Sequence, residues 1–247
     1  MLKSQISIWI EILAGMYLTV VVVFFWRYPA LTALLLGVGI VFWLWRYRNR
    51  ADAAAMVWAA LLGTPSEMLC VKYGVWTYKA PGLILGIPVW IPLIWASLFC
   101  LFRRITLTLI HLAERQWPEP KALPKKILFG FLSACILAYY VVVVFSIARF
   151  IAVVYSIFVL AGIIFWRRER DILIFIVGAI LGTFGEYICM QLGFWQYQYP
   201  YFKSIGMPIS LPMAWGLSAV MIGRLAQIWE IPSTKKDVSS NNTQEQR

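Results

Sequence analysis

The stretch Leu62-Gly63-Thr64-Pro65-Ser66-Glu67-Met68-Leu69-Cys70-Val71-Lys72-Tyr73-Gly74-Val75-Trp76-Thr77-Tyr78 returns later in the chain as Leu181-Gly182-Thr183-Phe184-Gly185-Glu186-Tyr187-Ile188-Cys189-Met190-Gln191-Leu192-Gly193-Phe194-Trp195-Gln196-Tyr197. Leucine, glycine, threonine, glutamate, cysteine, glycine, tryptophan and tyrosine recur at one constant spacing, 119 positions on. One residue is then inserted, and Gly86-x-Pro88-x-x-x-Pro92-x-x-Trp95 returns as Gly206-x-Pro208-x-x-x-Pro212-x-x-Trp215. Both copies lie in apolar sequence, and each sets one carboxyl group inside it. An ionisable group in hydrocarbon is expensive, so Glu67 and Glu186 are candidate functional residues.

The surrounding composition gives the class. The chain of 247 residues is 62% hydrophobic and 13% charged, with a mean hydropathy of +0.76. Apolar runs of about 20 residues, the length needed to cross a bilayer core as helix, recur along it. They predict eight spans: Ile6–Trp26, Pro29–Trp45, Ala53–Tyr73, Pro88–Ile110, Ile127–Ile147, Phe150–Trp166, Asp171–Leu192 and Pro208–Trp229. The alternating pattern of a membrane-spanning strand is absent. The first span has no small-residue cleavage signature after a short apolar core, so a retained helix is expected rather than a removed signal peptide. The fold class expected is an all-α integral membrane protein, with about eight transmembrane helices as two parallel four-helix repeats. The repeats are 1–111 and 127–230, joined by a cytoplasmic connector at 112–126. Residues 231–247 are polar, lack aromatics and read as a disordered cytoplasmic tail.

The net charge of +11 has a topological explanation. With both termini cytoplasmic, seventeen of the 22 lysines and arginines fall inside, and only Arg27, Lys72, Lys79, Arg149 and Lys203 fall outside. That is the positive-inside bias. A nucleic-acid face would need a basic patch with base-reading or stacking groups, so no nucleic-acid partner is expected. Localisation in a bacterial cytoplasmic (inner) membrane follows as an expectation. Four spans per half is an even number, so both halves enter from one side and are related by an axis along the membrane normal.

Gly63, Glu67, Cys70 and Gly74 are spaced to share one helical face, as are Gly182, Glu186, Cys189 and Gly193. Small residues beside an acid admit a neighbouring backbone, which turns each glutamate toward the bundle interior. The outer loops Gly74–Ile87 and Gly193–Met207 carry Trp76, Tyr78, Trp195 and Tyr197. These residues read either as an interfacial aromatic belt or as the cap of a cavity whose floor holds the acids. Pro88 and Pro208 suit the first turn of the helix that follows. Pro92 and Pro212, a turn further in, predict a bend and a free carbonyl. Trp95 and Trp215 follow, and a buried indole needs an acceptor for its N–H. Glu67 and Glu186 are candidates for that acceptor, which is also the purely structural explanation of the acids.

Other polar groups say less. Glu11 reads as an interfacial or helix-pairing residue. His111, the one histidine, falls at a cytoplasmic helix end, far from the repeated motif, so a histidine-based catalytic triad is not expected. Two glutamates and two cysteines, Cys70 and Cys189, formally offer a metal site. Metal sites in helix bundles generally recruit histidine, so no metal is expected. There is no phosphate-cradling glycine loop and no acidic constellation for a magnesium diphosphate. Phosphotransfer and prenyl transfer are therefore not expected, and neither is a cofactor.

Gly74-Val75-Trp76-Thr77-Tyr78 with Ile84-Leu85-Gly86-Ile87-Pro88 resembles a motif of the lycopene cyclase domain, a small helical membrane unit that occurs in two copies. Gly185-Glu186-Tyr187, Gly193, Tyr197 and Gly206-x-Pro208-x-x-x-Pro212-x-x-Trp215 resemble the carotenoid-biosynthesis membrane proteins related to bisanhydrobacterioruberin hydratase. The cyclase domain has paired acids directly after the proline, whereas Val89-Trp90 and Ile209-Ser210 stand there in this chain. The hydratase-like pattern, with its acid on the preceding helix, matches better.

The resemblance implies acid chemistry on an isoprenoid, with Glu67 and Glu186 as catalytic residues. Trp76, Tyr78, Trp95, Trp195, Tyr197 and Trp215 would contact the substrate. Low dielectric favours the neutral form of a carboxylic acid. Such an acid can protonate an alkene to a tertiary cation, and aromatic faces stabilise cations. The partner expected is a membrane lipid or isoprenoid reaching the site from the bilayer. Two readings stand beside it: a non-enzymatic carrier or receptor with a pseudo-symmetric glutamate site, and a structural membrane subunit. The oligomeric state is not legible.

Overall fold

The computed structural model describes residues 2–112, 169–198, 206–208 and 211–227. Helices and strands are numbered in chain order among these residues. The predicted spans Ile127–Ile147 and Phe150–Trp166, the 112–126 connector and the tail lie outside them. The protein is mostly helical: α1 (Leu2–Phe25), α2 (Pro29–Tyr47), α3 (Arg50–Lys72), α4 (Ile91–Leu112), α5 (Glu169–Gln191) and α6 (Leu211–Gln227). The first five are long and apolar enough to cross a membrane. Four short strands accompany them: β1 (Trp76–Tyr78), β2 (Leu83–Ile84), β3 (Ile87–Pro88) and β4 (Trp195–Tyr197).

Local chemistry sets the helix ends. Pro29 starts α2 at a position where its missing N–H removes no bond. The Asn49 side chain caps α3, accepting from the backbone N–H of Ala51 at 2.8 Å. At the other end of α3, Gly74 takes a left-handed φ of +68°. Its N–H donates to the Val71 carbonyl, and the next N–H, of Val75, donates to the Cys70 carbonyl. The end of α5 is closed alike: Gly193 has φ +76°, its N–H donates to Met190, and the Phe194 N–H donates to Cys189. This paired closure needs a residue at ease in the left-handed region. Gly74 and Gly193 therefore end their helices and do not extend the buried stripe, as the sequence had suggested. Gly63, Glu67 and Cys70 do share the buried face of α3.

The prolines also differ from expectation. The fourth helix begins at Ile91, and Pro88 lies in β3. Pro92 is then in the first turn, where no helical acceptor is lost and no bend follows. The sixth helix begins at Leu211, whose N–H donates to the Pro208 carbonyl at 3.2 Å. That carbonyl is not a free acceptor, and Pro212 is again in a first turn. The expectation had started each helix three residues too early.

α3 packs on α4 and α5 on α6 within the two halves, and α3 packs on α6 and α4 on α5 between them. These four helices form the centre. α1 and α2 lie against α4 and each other on one side. Glu11 of α1, wholly buried, accepts a hydrogen bond from Thr108 Oγ1 of α4 at 2.7 Å, which is the helix-pairing role expected of it. Outward faces of α1 and α2 carry exposed Trp9, Leu13, Phe24, Leu34 and Val41, as lipid-facing surfaces do.

Candidate functional site: the twin glutamate centre

The structure joins the two repeated motifs at one place. After the glycine closure, each chain turns back as a short strand, and β1 pairs antiparallel with β4. Trp76 lies opposite Tyr197, Thr77 opposite Gln196 and Tyr78 opposite Trp195. Backbone bonds flank the ladder from Lys79 N–H to the Phe194 carbonyl at 2.8 Å and from Gln198 N–H to the Val75 carbonyl at 3.0 Å. The first brackets the Tyr78–Trp195 pair and the second the Trp76–Tyr197 pair. Each aromatic pair thus occupies a non-hydrogen-bonded position, where opposed side chains come closest. The rings meet edge to face, Trp76 with Tyr197 at 5.5 Å and Tyr78 with Trp195 at 5.6 Å between centroids. Alternation along a strand puts these four rings on one face and Thr77 and Gln196, both exposed, on the other.

Beneath the ladder lie the acids. Glu67 Oε2 accepts from Tyr78 Oη–H at 2.6 Å and from Trp76 Nε1–H at 3.1 Å. Its Oε1 accepts from Trp95 Nε1–H at 3.1 Å. Glu186 repeats the pattern. Its Oε2 accepts from Tyr197 Oη–H and its Oε1 from Trp215 Nε1–H at 3.1 Å. Burial first, and then the neighbouring glutamate, pushes each phenol, Tyr78 and Tyr197, well above the ordinary tyrosine range, so both remain donors. Indole N–H groups donate only. Each acid therefore accepts from its indoles, and its bond to tyrosine is the one among these that joins two groups able to give up a proton.

Two glycines make room for this. The ring of Trp95 lies against Gly63, where an added Cβ would come within 2.1 Å of it; at Gly182 an added Cβ would come within 2.3 Å of the Trp215 ring. The two indoles then stack on each other, 5.2 Å apart and 16° from parallel, and Phe99 extends the stack from Trp95 at 5.1 Å. All eight candidate residues, two acids and six aromatics, are thus gathered about one junction between the halves. Trp76, Tyr78, Trp95, Tyr197 and Trp215 point N–H or O–H groups at the acids. Cys70 is buried and Cys189 half-buried, both as free thiols. Among the described residues no three His, Cys, Asp or Glu groups are placed to hold a metal ion.

A second repeated feature escaped the sequence reading. Asp52 forms ion pairs with Arg103 and Arg104, and Asp171 forms one with Arg224. Asp52 and Asp171 stand 119 positions apart, and Arg104 and Arg224 stand 120 apart. These are the offsets of the glutamate motif and of the Trp95 motif. Each aspartate is fifteen positions before its glutamate, about 22 Å along the helix. Each half therefore carries an acid–aromatic centre at one end and a buried ion pair at the other. The signal was available in the offsets, but the arginines read only as part of the inside-positive bias and the two aspartates were given no role.

No family model and no curated protein matches the chain. Among solved structures it is similar to MvINS, a mycobacterial Insig homologue from Mycobacterium vanbaalenii. The identity is 17%, with 72% of this chain and 94% of that one covered and a TM-score of 0.56. It is similar also to a cross-linked trimer of a cysteine variant of MvINS, at 15% identity, 75% and 97% coverage and a TM-score of 0.59. The likeness is one of fold, and it supports a helical membrane protein. The carotenoid-biosynthesis resemblance rests on the repeated motifs alone.

Proposed function

We propose that this membrane protein binds a long apolar lipid of isoprenoid type at the twin glutamate centre and protonates a C=C bond of it, Glu67 or Glu186 supplying the proton. The observation that carries the reading is a carboxyl group set in apolar surroundings among aromatic rings, built twice and joined through stacked indoles. A carboxyl O–H transfers its proton to one alkene carbon, the π pair forms the new C–H bond, and the other carbon becomes a tertiary cation. The faces of Trp95, Trp215 and their neighbours stabilise that cation. Water then forms a C–O bond and returns a proton to the carboxylate. Alternatively, an adjacent double bond closes a ring and a neighbouring C–H gives the proton back. Either way the acid is regenerated.

Mass spectrometry of total lipids tests this, in a polyisoprenoid-producing host with and without the protein. The expected result is a hydrated or cyclised product that disappears in the Glu67→Gln/Glu186→Gln double variant. An unchanged lipid profile would count against turnover. A second reading, binding without turnover by a carrier or receptor, draws on the three donors that already occupy Glu67. It predicts lipid copurifying with the protein, chemically unaltered.

The inside-positive charge pattern supports placing both termini in the cytoplasm and the β1–β4 ladder at the outer face of a bacterial inner membrane. Reporter fusions after Lys121 and Arg170 should both read cytoplasmic; an external reading at either position overturns that orientation.

A further inference from the structure

Thr64 and Thr183 belong to the repeated motif, yet the glutamate centre as described makes no use of them. Both hydroxyl oxygens are buried without a hydrogen-bond partner. A hydroxyl on a helix ordinarily bonds back to the carbonyl of the preceding turn. Ser97 does so with Leu93 at 2.8 Å, and Thr106 with Phe102 at 2.8 Å. The two threonines do not. Leaving a buried hydroxyl unbonded is a cost that folded proteins rarely accept, and here it is accepted at the same motif position in both halves. Each threonine directly follows the glycine that admits its half's tryptophan, and each stands three residues before its glutamate, a spacing that makes the two side chains neighbours on the helix surface.

We propose that Thr64 and Thr183 are binding residues for a neutral hydroxyl oxygen at the twin glutamate centre, carried by an alcohol group of the bound lipid or by a water molecule. This rests on the lipid-binding reading for its alcohol form only. A hydroxyl is matched to such a group because it donates or accepts as the partner requires. A bare hydrocarbon offers the two threonines nothing, so the ligand class narrows to lipids bearing an oxygen, or to hydrocarbon taken up with water. The water form supplies the nucleophile for a hydration, adding to the cation as above.

The test uses the full chain in detergent, as wild type, Thr64→Val, Thr183→Val and the double variant. Valine keeps the shape and removes only the hydroxyl. The probes are geranylgeraniol and the hydrocarbon of the same carbon skeleton, with binding followed by tryptophan fluorescence and melting followed without ligand. If a lipid alcohol is the occupant, wild type prefers the alcohol by about tenfold for each hydrogen bond made, and the valine variants lose that preference while melting no lower than wild type. If water is the occupant, the valine variants melt lower without ligand, because a held water has lost a partner, and alcohol and hydrocarbon bind alike. Valine variants that melt at or above wild type with lipid preference unchanged would overturn the proposal, since the hydroxyls would then be unsatisfied and idle. A wild type that binds neither probe defeats the lipid-binding reading and the alcohol form with it. The ligand-free melting comparison then decides the water form alone.

Discussion

Trp95 and Trp215 stack face to face between the two halves, 5.2 Å apart, and each turns its indole N–H to the glutamate of its own half. One contact thus couples two carboxyl groups that lie 119 residues apart in the chain. Each ring is held on three counts: by a hydrogen bond, by its twin and by a glycine on the facing helix. The Trp95 ring is boxed further by Phe99. Rings so confined leave little freedom for the acids they bind, which is how a rigid element preorganises a site.

The glycines at the stack are the first point to test. An alanine at Gly63 or Gly182 sets a methyl group into an aromatic ring. The ring must move, and its N–H with it. Gly63→Ala and Gly182→Ala should each cost about 1–3 kcal/mol, the usual range for overpacking. Melting of the purified protein checks the loss. Tryptophan fluorescence should shift with it, as the indole leaves its carboxylate. Gly37, against which an added Cβ meets nothing within 4 Å, is the control, and Gly37→Ala should melt as wild type does.

At the opposite end, Asp52 is almost fully buried with Arg103 and Arg104. Removing the acid takes away the carboxylate that the two guanidinium groups share. Breaking a buried pair from one side typically costs about 3–5 kcal/mol, so Asp52→Asn should be among the most damaging polar substitutions in the chain. Asp171→Asn, which removes the ion pair with Arg224, should fall in the same range. The measurement is again melting, beside the surface substitution Arg48→Gln as reference. Equal stability of Asp52→Asn and wild type would mean that the ion pairs do not form in the membrane.

The β1–β4 ladder predicts a cross-link. Thr77 and Gln196 are directly opposed and exposed, and a hydrogen-bonded antiparallel pair has Cα atoms about 5.5 Å apart, inside the span of a disulfide. Cysteines at both positions should join oxidatively. With a protease site placed in the 112–126 connector, the cut halves should run as one band when oxidised and as two when reduced. Cysteines at Val75 and Gln196 are out of register and should join far less well. Equal yields from the two pairs would refute the register.

Much of this centre was legible in the repeat itself. The offset of 119 named both acids and four aromatics, the offset of 120 named Trp95 and Trp215, and helical spacing placed Gly63, Glu67 and Cys70 on one face. Helical periodicity said nothing of β1 and β4, because three-residue strands leave too short a pattern and their pairing is between segments far apart in sequence. The closure role of Gly74 was hidden because its position also fits a helical stripe. Pro88 and Pro208 misled for a related reason. Proline favours a first turn, but Leu85 and Gly86 both take positive φ, +52° and +84°, and make a tight hairpin. That hairpin holds Pro88 in strand β3 and delays the helix to Ile91. Asp52 and Asp171 repeat as faithfully as the glutamates. They went unread because the arginines they pair with had already been assigned to topology.

The sharpest test of the acids themselves uses two substitutions at each position. Glutamine keeps the shape of glutamate and retains one carbonyl oxygen to accept from an indole N–H, but it carries no transferable proton. Leucine removes every acceptor, so at position 67 it strands the N–H groups of Trp76 and Trp95 and the O–H of Tyr78. If the glutamates serve packing alone, Glu67→Gln and Glu186→Gln, which set an NH2 group against one of the donors, should each lose about 1–3 kcal/mol and leave any lipid phenotype intact. Glu67→Leu should then be the more harmful change, at about 1–3 kcal/mol for each of its three stranded donors. If the glutamates are acids, the glutamine variants should still fold and extract normally, and at least one should abolish the lipid product. Both arms need melting and lipid mass spectrometry on the same preparations, so that a lost product is never confused with a lost fold. A full product yield from the glutamine double variant would remove proton transfer from the account of this site and leave Glu67 and Glu186 as the hydrogen-bonded pins of a four-helix centre.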